Sequence, residues 1–213
     1  MRSALAGFVL VLMVAACGPL GSSAPAGPTA SSVALKTSDL PPGMVRCDLS
    51  GDINSYLNKI KTKDPTTYKT TSDGWAAAQK DGATAADVEF YTDSAAHCAA
   101  VASNSSQVGT ATYKLAVNFV IQFKDQASAE KGYKSESIFG FSAASLKASQ
   151  VPVVEGTATG LGANSIVLSL AIASQSFYVA VWQNKAFMSI LAILNIDPAT
   201  AKKTALAVNG RIH

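Results

Sequence analysis

The sequence predicts an α+β fold, a mostly antiparallel sheet of four to five strands with helices packed on it, and three features lead there. Residues 115–123 alternate strictly, with Leu115, Val117, Phe119, Ile121 and Phe123 on one face and Ala116, Asn118, Val120 and Gln122 on the other, which is the period of a half-buried strand. Three closely spaced apolar runs then fill residues 165–195 with turn residues between them, a spacing that suits antiparallel neighbours. Finally Asp197-Pro198 supplies a cap and a first-turn proline, and Ala201, Ala205, Val208 and Ile212 form the stripe of a terminal helix.

The elements follow in order along the chain. Residues 18–33 are Gly, Pro, Ser, Ala and Thr apart from Leu20 and Val33, with no charge. Such a composition cannot bury enough surface to offset chain entropy, so residues 17–34 are assigned as a tether and residues 35–213 as one globular domain. A flexible tether of that length has a reach of roughly 20–25 Å. Ile53, Tyr56, Leu57 and Ile60 stand at i, i+3, i+4 and i+7, which makes 52–61 a short amphipathic helix capped by Ser50 or Asp52. Asp64-Pro65 is expected to end it, and the stretch through Trp75 reads as irregular. A strand at 88–91 and an Ala-rich helix at 94–102 follow, and a helix is expected at 125–136. Gly156, Gly160 and Gly162 mark a turn-rich connection to strands at 165–172, 177–183 and 186–195, with a hairpin turn at Asn184-Lys185. This order of strand, helix, Gly-rich turn, three strands and helix is similar in outline to small envelope lipoprotein and sensor domains, including folds of the PsbP/Mog1 kind.

At the N-terminus, Met1-Arg2-Ser3 precedes an apolar stretch from Ala4 to Met13 and then Val14-Ala15-Ala16-Cys17, the order of a secretory signal peptide. The apolar stretch is shorter than the roughly 20 residues a spanning helix needs. Val14, Ala15, Ala16 and Cys17 resemble the lipobox of bacterial lipoproteins, although Val-Ala-Ala also suits ordinary cleavage after Ala16. The resemblance implies removal of residues 1–16, lipid on Cys17, and an extracytoplasmic protein held on a cell membrane. The several acyl chains of such a lipoprotein would anchor it stably. With Cys17 lipidated, Cys47 and Cys98 remain as an even pair in an oxidising compartment and are expected to form a structural disulfide.

Loss of Arg2 with the signal lowers the formal net charge from +3 to +2, and there is no Lys/Arg cluster, so nucleic acid is not an expected partner. Catalytic signatures are sparse. The two histidines, His97 and His213, show no spacing to a nucleophile. No metal-ligand or cofactor motif is present, and no cofactor is expected. Asp87 and Glu89 share a strand face and read as a solvated edge, while Gly160-Leu161-Gly162-Ala163-Asn164 leads into a strand and reads as a turn. Asn104-Ser105-Ser106 matches a glycosylation sequon by coincidence. The expectation is a non-catalytic binding module for a partner protein, an envelope polymer or a small apolar ligand; the alternative is an envelope enzyme whose site is dispersed in sequence. A turn at Asn184-Lys185 pairs Trp182 with Phe187, Ala180 with Ser189 and Tyr178 with Leu191 on one hairpin face. Tyr178, Trp182, Phe187 and Leu191 are the candidate ligand or partner face, beside small residues that could leave a concave site. The terminal helix could cover the other face, built from Val179, Val181, Met188 and Ile190; the alternative is that helices from the first half of the chain cover the aromatic face too, giving a closed three-layer domain.

Overall fold

The computed structural model describes residues 27–104, 109–135, 142–172 and 174–213. The fold is α+β, built on one antiparallel sheet of eight strands: β1 (Val45–Arg46), β2 (Gly51–Asp52), β3 (Ala83–Thr92), β4 (Leu115–Phe123), β5 (Val153–Glu155), β6 (Ser165–Ile172), β7 (Gln175–Asn184) and β8 (Phe187–Leu194). Their order is β1-β3-β4-β8-β7-β6-β5, with β2 also paired to β3. The five long strands are those that sequence patterning can reveal. β1 and β2 have two residues each and β5 has three, too few to display a period.

Strand β4 shows why the sheet is a middle layer. Leu115, Val117, Phe119, Ile121 and Phe123 enter one buried cluster, whereas Ala116 and Val120 enter a second cluster on the opposite face. Helices α2 (Ile53–Ile60), α3 (Pro65–Lys80), α4 (Ala95–Ser103), α5 (Gln126–Ser135) and α6 (Ala143–Ala148) contribute buried residues to the first cluster. The short α1 (Ala30–Val33), the segment that follows it and the terminal α7 (Pro198–Gly210) contribute to the second.

α2 ends before Asp64-Pro65 as expected, but that pair also starts a helix, α3, where an irregular stretch was expected. The Asp64 carboxylate accepts from the Thr67 amide and Pro65 stands in the first turn, a favourable helix opening. The buried stripe of α3 is Thr67, Thr71, Trp75 and Ala78, and its two threonines conceal the apolar period. The helix expected at 52–61 is α2, capped by Asp52, whose carboxylate accepts from the Asn54 and Ser55 amides. Glu136, the last residue of the helix expected at 125–136, lies outside the described residues, as do Ser105 and Ser106 of the sequon.

Residues 29–34 belong to the folded domain and not to a free tether. The Ala30 amide donates to Gln122 Oε1 at 3.2 Å and the Leu35 amide to Asn118 Oδ1 at 3.0 Å. Arg211 donates to the Val33 and Ala34 carbonyls and makes a two-pronged ion pair with Asp39 at 3.0 and 2.8 Å. Tyr91 Oη and Thr204 Oγ1 donate to the Leu35 and Asp39 carbonyls. This strap is polar in its fastenings and apolar in its burial: Ala30, Val33, Ala34, Leu35, Leu40 and Met44 are all buried. Small side chains, which favour a tether by composition, here allow close approach to the sheet.

The β7–β8 hairpin turns at Lys185 and Ala186, with Asn184 opposite Phe187. Trp182 therefore faces Ser189, Ala180 faces Leu191 and Tyr178 faces Ile193, a shift of two from the pairing expected. An even shift leaves every side chain on its original face. Lys185 takes the positive φ of 49°, and Gln183 Nε2 donates to its carbonyl at 2.6 Å. The Asn184 side-chain amide donates to Asn209 Oδ1 of α7 at 2.9 Å.

Candidate functional site

The aromatic hairpin face is closed. Trp182 and Leu191 are fully buried, and Tyr178 and Phe187 are each only 4% exposed. All four share a cluster with Ala201, Ala205, Val208 and Ile212, so the terminal helix covers this face and not the Val/Ile/Met face. Size complementarity explains the choice, because the two alanines of α7 accommodate bulky strand residues while the strap fills the remainder. Burial pushes the Tyr178 hydroxyl up to about 12. Trp182 Nε1 is buried with no hydrogen-bond partner among the described residues, a cost left inside the core. A ligand has no access to these residues in this structure.

An open groove lies elsewhere, at the end of the sheet where β1 pairs with the last residues of β3. Cys47 and Cys98 are joined there, with Cα atoms 5.2 Å apart, tying the segment after β1 to α4. Thr92 Oγ1 lies 3.2 Å from Cys98 Sγ and donates to the Ser94 carbonyl. Beside the disulfide runs a half-open cavity of about 520 Å³, within the range of small-molecule sites. Val45, Leu49, Ala95, Ala99, Ala102 and the disulfide form its apolar wall, and Lys59, Lys63, Asp48 and Arg46 its polar margin. Ser94 accepts from the His97 amide and so starts α4. Ala95, Cys98, Ala99 and Ala102 then fall at i, i+3, i+4 and i+7 and face the groove together.

Lys59 is fixed in place by two carbonyls. Its Nζ donates to Asp48 O at 2.6 Å and Ser50 O at 3.0 Å, which leaves one of three N–H groups for another acceptor. Among the described residues neither Lys59 nor Lys63 has a carboxylate in an ion pair. Arg46 is neutralised: its Nε and a terminal nitrogen each reach a Glu89 oxygen at 2.6 Å. Sequence separation hid this arrangement, since Lys59, Cys98 and Val45 converge only once β1, α2 and α4 assemble.

Behind Arg46, Asp87 and Glu89 are buried at 7% and 6% exposure and do not form the solvated face expected of alternating carboxylates. Burial first, then the charge and hydrogen bond of Glu89, push the Asp87 carboxyl up to about 6, with Arg46 opposing the shift. Asp87 Oδ1 has no hydrogen-bond partner among the described residues. One arginine thus serves two carboxylates, and the second titrates instead of pairing. At the far side of α4, His97 Nδ1 lies 2.5 Å from Asp93 Oδ1 and its ring stacks on Tyr113 at 4.0 Å. Burial raises the Asp93 carboxyl, but hydrogen bonds from His97 and the Lys114 amide outweigh it and hold it below its ordinary value. Among the described residues no cluster of three His, Cys, Asp or Glu could hold a metal ion.

Cys17, the expected lipid site, and the signal peptide at 1–16 lie outside the described residues. Among the described residues no helix is long and apolar enough to cross a membrane. No known protein family and no curated protein matches the chain. Among solved structures, the extracellular domain of PknH from Mycobacterium tuberculosis is similar at a TM-score of 0.49 and 11% identity, over 85% of this chain and 93% of that one.

Proposed function

We propose that this protein is a lipid-anchored extracytoplasmic binding module that takes its ligand or partner in the groove beside the Cys47–Cys98 disulfide and performs no catalysis. Export and anchoring rest on Val14-Ala15-Ala16-Cys17 after a short apolar run, and the disulfide is the state an oxidising compartment favours. The groove carries the binding reading: about 520 Å³ of open space with an apolar wall and two lysines on its margin. Several groups that catalysis could use are otherwise engaged. Both domain cysteines are spent in the disulfide, Glu89 is held by Arg46, and His97 is stacked on Tyr113.

Membrane fractionation tests the reading. Cys17→Ser should move the protein from the membrane to the soluble fraction or stall its processing, whereas Ala99→Trp should leave it on the membrane with the groove filled. A Cys17→Ser chain that still sediments fully processed with membranes would contradict the anchor.

A further inference from the structure

We infer that the groove ligand is an anionic amphiphile, a single apolar chain bearing a phosphate or carboxylate head; this inference rests on the binding-module reading above. The apolar part of the site is continuous, running from Val45 across the disulfide to the alanine face of α4. Alanines leave room for a chain where larger side chains would close the space, and neither hydrogen-bonding side chains nor aromatic rings line that wall to recognise a polar ring or a peptide backbone. The head group is specified at the margin. Lys59 is preorganised by the Asp48 and Ser50 carbonyls, with one donor to spare, and Lys63 also lines the groove from the turn that follows α2. Lys59 and Lys63 outnumber Asp48, the one carboxylate among the lining residues, and Glu89 offsets Arg46. A neutral carbonyl pair positions a cation without cancelling its charge, so the site favours an anion over a cation of equal size. The charged margin at Lys63 and the apolar wall, open along Val45, Ala95 and Ala99 and floored by buried Cys47 and Leu49, match the two ends of such a molecule.

The test uses the Cys17→Ser chain, which keeps the whole domain without its lipid, titrated calorimetrically with dodecyl phosphate below its micellar concentration. Dodecyl phosphate should bind, while dodecyltrimethylammonium and inorganic phosphate should not. Lys63→Glu should weaken binding about tenfold, and Ala99→Trp, which fills the wall from an exposed helix position, should abolish it. Both variants must keep the wild-type unfolding midpoint. Equal binding of the two amphiphiles, no binding of either, or indifference to both substitutions would overturn the inference. A photo-crosslinking side chain in place of Asp48, used in whole cells, separates this outcome from failure of the parent reading. A lipid-sized adduct supports the amphiphile. A protein or polymer adduct overturns the amphiphile and keeps the binding module, and no adduct at all counts against both.

Discussion

On one face of the sheet the cover is drawn from five internal helices, several of them close in sequence to the strands they lie on, whereas on the other it is made from the two ends of the chain. The first face holds Phe90, Phe119, Phe123 and Tyr56 with the branched aliphatic residues of β6, β7 and β8, and its outlying α4 is tied down by the disulfide. The second holds Trp182, Tyr178 and Phe187 beneath the strap and α7, fastened by Arg211, Asn118 and Tyr91. A face closed by chain ends depends on contacts between residues far apart in sequence, since Arg211 reaches back to Asp39 and Val33. Residues 29–34, which read as tether by composition, are structural here. An open groove lies beside the disulfide, at the margin of the first cluster.

Truncation at the centre of the end-closed face should have the largest effect. Trp182→Ala is expected to cost about 3–5 kcal/mol in urea unfolding, as for other buried aromatics. A change under 1 kcal/mol would mean that the strap and α7 do not close tightly over it. Replacing both cysteines (Cys47→Ser with Cys98→Ser) should cost about 4 kcal/mol for a sequence separation of 51. That loss should vanish when wild type and variant are compared under reducing conditions.

How much of this was readable in advance depended on whether a period survived. β4 and the face assignments of the β7–β8 hairpin were legible because alternation needs only one strand, and a two-residue error in register does not change it. α3 was not, since Thr67 and Thr71 occupy its buried stripe. The strap was not, because its Ala and Ser residues have the composition of a linker, and its fastenings come from Gln122, Asn118 and Arg211. The choice of face for α7 and the convergence of Lys59, Lys63 and Ala99 are tertiary facts with no local signal. The disulfide was legible by cysteine parity once Cys17 was set aside.

Arg211→Ala isolates the polar fastening of the end-closed face. It removes the Asp39 pair and two carbonyl contacts, and about 2–3 kcal/mol should be lost. Hydrogen exchange should accelerate first at Leu35 and neighbouring amides, with α2 and α3 unaffected. Uniform acceleration across both faces would contradict the separation drawn here.

Asp87→Asn probes the junction of the strap face with the groove wall. The folded-state carboxyl titrates at about 6 against an ordinary 3.8, so the folded chain holds this proton more tightly than the unfolded one. The stabilising contribution is full below the lower value and is lost as pH rises through about 6. Asp87→Asn should flatten that dependence and make the protein more stable than wild type at pH 8, by up to about 3 kcal/mol. Unfolding midpoints at several pH values between 4 and 8 check it, and a parallel decline in both proteins would remove Asp87 as the cause.

Membrane anchoring of the domain rests on Cys17. Intact-mass analysis of protein extracted from membranes should show a chain beginning at Cys17, residues 1–16 removed, with diacylglyceryl and acyl mass on that residue and two fewer hydrogens for the Cys47–Cys98 bond. A processed chain with an unmodified Cys17 would contradict it.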